Sequence, residues 1–207
     1  YDQGELCVFN NVGYPNPNRS HFRSTDIWLT GSGAQQYWNT GWVGRYLDAH
    51  CTHAHGAICS NGSLSLALKG KVRSGIAVSH PGQLFQATST PLFQGLASRT
   101  APEMLDEDNQ GYLYKTLLET NASSRYIYET SKVFETKQVY PGNAFAKSLK
   151  NIADFINSGL QTRVYYASLG GFDSHVNQNP SQDRLLGLYD EAMQAFVQDL
   201  KTQNRFK

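Results

Sequence analysis

The chain has 207 residues, enough for one globular unit with a real core, and its charged residues make up 17% and almost cancel to a net +1. No broad field of one sign exists to recruit nucleic acid or an anionic membrane, and no apolar run approaches the roughly 20 residues that cross a bilayer. A small ligand is the expected partner, and 12 Tyr, 10 Phe and 3 Trp suit either a hydrolase or a carbohydrate binder.

In chain order, "ELCVFNNVGY" reads as a strand holding Cys7, closed by a turn at Pro15 and Pro17. Ser20 is placed to cap a helix over "HFRSTDIWL". Thr40 is placed to cap a second over "GWVGRYLDAH", where Trp42, Val43, Tyr46 and Leu47 recur at helical spacing. Between them "TGSGAQQ" is glycine-rich but lacks the Lys-Ser/Thr of a phosphate loop, which argues against nucleotide binding.

Residues 75–79, "GIAVS", predict a short strand ended by His80 and Pro81. From Gln110 to about Lys137 the sequence is helix-like, with "ETNASS" as a potential break. The last third is clearer. Asn143 caps and Gly159 stops a helix whose stripe is Phe145, Leu149, Ile152 and Ile156. A strand over Val164 to Leu169 is apolar on both faces, as a buried parallel strand would be. A final helix carries Leu185, Tyr189, Met193, Phe196 and Leu200, with Asn179, Pro180 and Gln182 resembling its cap. Helix, strand and helix in this order imply one layered α/β domain over residues 1–207, a sandwich with a mostly parallel sheet flanked by helices.

Chemistry concentrates in "GGFDSH" at 170–175, just past the last strand, where ligands sit in open α/β sheets. Gly170 and Gly171 permit a sharp turn, and Asp173 and His175 then offer a carboxylate and an imidazole to one divalent cation, zinc above all. A capping Asp beside a surface His is the plainer reading of the same spacing. A competing set, His50, His53 and His55 with Cys51 and Cys59, lacks zinc-site spacing, and His residues at a helix C-terminus are common for their interaction with the dipole. Cys51 and Cys59 are near enough in sequence to bridge in an oxidising compartment; three buried thiols are the alternative. The adjacency of Ser79 and His80 does not make a nucleophile and base. Tyr37, Trp38 and Trp42 suit either sugar stacking or core packing.

"NPNRSHFRSTDIW", "GWVGRYLD", "YPGNAFAKSLKNIADFINSGLQTRVYYASLGGFDSHVNQ" and "RLLGLYDEAMQAFVQDLK" together resemble successive blocks, over positions 15 to 201, of the domain of unknown function 1501 family. That bacterial family belongs to the alkaline phosphatase and sulfatase-like superfamily. The resemblance implies an alkaline phosphatase-like sandwich, export to the periplasm or cell exterior, and metal-dependent hydrolysis of phosphate or sulfate esters. It makes Asp173 and His175, in a Gly-Gly-Phe-Asp-Ser-His motif, the expected metal ligands. Ser20 and His21 also match its Asn-Arg-Ser-His-Phe motif, with Arg23 just beyond it; at a helix start Ser20, His21 and Arg23 are candidate binders of a small anionic ester, with Ser20 as a mere cap and His21 as a packed ring on the other side. Arg45 reads as structural. The family's Gly-Gly-x-Asp-Gly and Asp-His-Gly motifs do not occur in the sequence, so the resemblance implies a middle segment of a longer domain. Catalysis is then expected of the whole protein rather than of the segment, with the nucleophile unassigned. The alternative is a non-catalytic surface or ligand-binding module that keeps the fold without a complete metal centre. A partial sheet with open edges suggests a homodimer.

Overall fold

The structure is a computed structural model that describes residues 7–99 and 109–206. Among these, seven α-helices surround one small parallel sheet: α1 (His21–Thr30), α2 (Trp42–His50), β1 (Ala57–Cys59), β2 (Ile76–Ala77), α3 (Pro81–Thr88), α4 (Pro91–Ser98), α5 (Asn109–Ser131), α6 (Ala144–Asn157), β3 (Val164–Tyr166) and α7 (Gln178–Thr202). The strand order is β2-β1-β3, with Ile58 opposite both Ile76 and Tyr165. Because all three strands run the same way, their carboxyl ends share one side of the molecule, and the loop after β3 emerges there.

Alternation along the strands sorts the core into layers. Ala57 and Cys59 of β1 pack with Val43 and Leu47 of α2, and Val164 and Tyr166 of β3 lie against the same cluster. Ile58 faces the other way, joining Ile76, Val78, Ile127 and Phe155 beneath α5 and α6. A third cluster, Phe145, Leu149 and Ile152 with Ala192, glues α6 to α7. The layered α/β reading therefore holds with a parallel sheet. Gly44 is what allows α2 to lie so close to the 66–70 segment: a Cβ there would collide with the Lys69 backbone.

Several local expectations hold for the reasons that suggested them. The Asn143 side chain accepts from the Ala146 N–H at 2.9 Å, and Gly159 ends α6 at φ +79°. Others need correction. Glu5 and Leu6 of the expected first strand lie outside the described residues, while Cys7 to Tyr14 form no strand and are largely exposed. That stretch finds no partner strand, and Cys7 is exposed rather than buried. Cys51 and Cys59 are free thiols, not a disulfide. Cys59 faces the α2 cluster and donates to the Ser63 carbonyl at 3.2 Å.

Gly41, not Thr40, occupies the cap position of α2, and no side chain closes that end. α7 begins at Gln178 behind Asn177, whose positive φ of 50° makes the turn without a side-chain cap. β3 stops at Tyr166 and is an outer strand, half-buried rather than enclosed on both faces. "ETNASS" does not interrupt α5, because the serines find partners within the fold: Ser124 accepts from Thr88 at 2.8 Å, and Ser123 lies 3.2 Å from His55 Nδ1. No helix among the described residues is long and apolar enough to cross a membrane.

Candidate metal centre

Two distant segments meet at the carboxyl end of the sheet. The first is the start of α1. Ser20 Oγ accepts from the Arg23 N–H at 3.3 Å, and the Ser20 N–H donates to Asn18 Oδ1 at 2.7 Å. Tyr14 braces the same loop, its hydroxyl accepting from the Asn18 N–H at 2.8 Å and lying 2.9 Å from Ser24 Oγ. These contacts lower the Tyr14 phenol from its ordinary range, the Ser24 hydrogen bond being the largest cause. The turn thus fixes His21 as the first residue of α1, with its imidazole in solvent.

The second segment is the loop after β3. Asn61, just past β1, accepts from the Ser168 N–H at 3.2 Å and so holds the start of this loop. Gly171 then reverses the chain at φ +99°, a region that side chains disfavour. Beyond it Asp173 and His175 project on the same side.

The outcome is a cluster of three. Asp173 Oδ1 lies 3.4 Å from His21 Nε2 and 3.1 Å from His175 Nε2. One ligand atom from each residue falls within 4.8 Å of the others, and among the described residues no other group of three His, Cys, Asp or Glu does so. The two imidazoles meet edge to face, centroids 5.9 Å apart. All three side chains remain open to solvent, at 69%, 64% and 75% exposure for His21, Asp173 and His175. Two imidazoles and one carboxylate are a zinc-type donor set, and three protein ligands leave a coordination position free for water or substrate.

The expected pair therefore becomes a trio. His21, expected as an ester binder, stands beside Asp173 and His175 instead, and no local signal in the sequence places it there. Ser20 and Arg23 do not join it. Ser20 caps, as above. Arg23 is buried and turned inward, its Nη2 donating to the carbonyls of Gly33 at 3.0 Å, Ala34 at 3.2 Å and Gln36, while its guanidinium lies 4.0 Å from the Tyr37 ring centroid. This burial and the engaged Nη2 correct the expectation that Arg23 holds an ester. They also account for the "TGSGAQQ" loop, which turns carbonyls toward a cation instead of N–H groups toward a phosphate. Arg45 is structural as expected, donating to Thr30 O at 2.8 Å and Thr40 O at 3.0 Å.

The competing histidines do not converge. His53 and His55 stack at 5.0 Å, His55 contacts Ser123 and Tyr126 of α5, and His50 lies against Tyr46. Burial is the main cause that lowers the His55 pKa, with His53 second.

Next to the trio a cleft of about 890 Å³ runs along α1, lined by His21, Phe22, Thr25, Asp26, Trp28 and Asp173 among others. A smaller, mostly apolar hollow lies behind the loop, between Phe145, Leu169, Phe172, Leu186 and Tyr189. Comparison with family models, with curated proteins and with solved structures gives no match.

Proposed function

We propose that His21, Asp173 and His175 hold a divalent cation, zinc by preference, and that the chain serves a metal-dependent hydrolase of phosphate or sulfate esters. The observation that carries this reading is the convergence of three ligand atoms within 4.8 Å from segments about 150 residues apart in sequence. The resemblance to the domain of unknown function 1501 family supports it from the sequence side, and carries with it the alkaline phosphatase-like sandwich and export from a bacterial cell.

The donor chemistry fits zinc. Each imidazole offers Nε2 toward Asp173, so His21, Asp173 and His175 would hold a cation through the atoms that now contact one another. An imidazolium cannot ligate, so binding releases protons and weakens on acidification. Zinc held by His21, Asp173 and His175 would supply Lewis-acid polarisation of an ester oxygen and a more acidic bound water. The protein's own part is to fix the three donors on a capped helix start and a glycine turn, and to present the cleft along α1 to the ester. Asp173 and Asp26 both line that cleft, so an anion enters it favourably only when the cation offsets their charge.

A second reading has its own support: the trio is open to solvent, whereas ester hydrolysis profits from a site that excludes water. On that view the chain is a surface or ligand-binding module. Zinc titration of the full-length protein by calorimetry, beside His21→Ala, Asp173→Ala and His175→Ala and with aryl phosphates and sulfates as substrates, separates the two. Zinc binding lost in all three variants, with turnover in the wild type, supports the hydrolase. Zinc binding without turnover supports the module, and unchanged metal content in the variants removes the hydrolase and leaves the module. The outer strands β2 and β3 each keep one edge without a strand partner among the described residues, so the expected homodimer is checked alongside by light scattering.

A further inference from the structure

We infer that the ester received at the His21, Asp173 and His175 cluster has an extended, hydroxylated, otherwise neutral alcohol part, a singly phosphorylated or sulfated oligosaccharide, whose far ring stacks on Trp28. This rests on the metal-site reading above.

His21, Thr25 and Trp28 stand at i, i+4 and i+7 of α1 and share one face. Seven residues of helix place Trp28 about 10 Å along the axis from His21. Trp28 is 71% exposed and Phe22 is 87% exposed, while Ile27 and Arg23 anchor the other side of the helix. Trp28 leaves a wide aromatic face in solvent on the wall of this cleft, where the face of a ligand ring can stack on it. The same wall leads directly to the trio, because His21 and Asp173 line the cleft with Trp28. An ester held at the His21 end reaches Trp28 only if its alcohol part is longer than one ring.

The polar lining narrows the class further. Thr25 offers a hydroxyl, and Asp26 offers a carboxylate that accepts from ligand O–H groups. The carboxylate of Asp26, which lines the cleft outside the trio, repels a second negative charge farther along it, which disfavours polyphosphates and multiply sulfated chains. A flat-faced ring with hydroxyls on its rim satisfies both surfaces at once: its face lies on indole, and its hydroxyls meet Thr25 and Asp26.

The test follows the Trp28 indole N–H in the zinc-loaded protein by NMR, assigned with Trp28→Phe. The probes are a disaccharide phosphate, glucose 6-phosphate, 4-nitrophenyl phosphate and the unesterified disaccharide. The disaccharide phosphate is expected to shift the Trp28 signal and to bind about tenfold tighter than glucose 6-phosphate. That advantage is expected to vanish in Trp28→Ala, which still binds zinc. Equal affinities for the two sugars, or an advantage that survives Trp28→Ala, overturn the inference. So does a Trp28 shift by 4-nitrophenyl phosphate as strong as that by the disaccharide phosphate. If zinc fails to bind the trio, the metal reading falls. The unesterified disaccharide then decides alone: a Trp28 shift supports the ring site, and no shift overturns it.

Discussion

The Tyr140 hydroxyl donates to the Asp199 carboxylate across 2.9 Å and so ties the loop before α6 to the end of α7. Asp199 is 1% exposed, so this donor stands where water would otherwise satisfy the carboxyl oxygen. Burial first, and the carboxylate second, hold the Tyr140 phenol far above its ordinary 10.0. Tyr140→Phe removes the donor and leaves the acid in place. It is expected to destabilise the fold by about 1–3 kcal/mol in urea denaturation at neutral pH. The pair also gives the wild type an alkaline limb. Above pH 10 the unfolded chain releases this proton and the folded chain keeps it, so stability falls as pH rises. Tyr140→Phe should show a shallower alkaline fall than the wild type.

A second titration, on the acid side, has the opposite sign. His55 sits between His53 and α5, and burial holds its pKa below the ordinary 6.5. As pH drops under 6.5 the unfolded chain takes up a proton that the folded chain resists, so stability is lost toward acid. Glu119 and Asp154 act against this trend, since burial raises both above their ordinary values and the folded state then binds protons more readily than the unfolded. Comparison of wild type with His55→Gln isolates the histidine. Urea midpoints from pH 7 down to 5 are expected to fall less in the variant, and parallel curves would refute the assignment.

What could be read from the sequence follows from how local each signal is. α6 was legible because its cap, stripe and glycine stop all lie within twenty residues and agree. α1 was legible from Ser20. β1 was not, since Ala57–Cys59 is three residues long and is a strand only because β2 and β3 flank it. The turns before α3 and α4 each offered a Pro at the helix start, a signal that reads equally as the end of a strand. At the site, the Asp173 and His175 pair was visible as a motif. Its third member was not, because only the fold brings His21 within 3.4 Å of a residue so distant in sequence. Arg23 shows the same limit in reverse: beside His21 in sequence it looks like an anion binder, yet the helix points it into the 33–36 loop.

The role of Arg23 is open to a direct check. Its Nη2 serves several carbonyls while the flat guanidinium lies over the Tyr37 ring, a stacked contact that a lysine ammonium does not reproduce. Arg23→Lys is expected to cost about 1–3 kcal/mol of stability in thermal or urea melts. The folded fraction should bind zinc as the wild type does, because the guanidinium makes no contact with the trio. A loss of zinc affinity at full folding would return Arg23 to the site.

Gly171 tests the geometry of the loop itself. A Cβ added there meets only the Leu185 methyl groups at 3.5 Å, an ordinary contact, so space is not what demands glycine. The φ of +99° is. Gly171→Ala must either hold a strained backbone, at a cost of about 1–3 kcal/mol, or relax and swing Asp173 and His175 away from His21. Gly170 has neither constraint: its φ is not positive and nothing lies within 4 Å of an added Cβ. Gly170→Ala should therefore behave as the wild type. Gly171→Ala should lose zinc affinity by about tenfold or more if the backbone relaxes, a shift calorimetry resolves readily. If it instead keeps affinity and loses stability, the loop is stiff enough to carry the strain. Identical behaviour of the two alanine variants in both measurements would mean that the turn does not position the ligands.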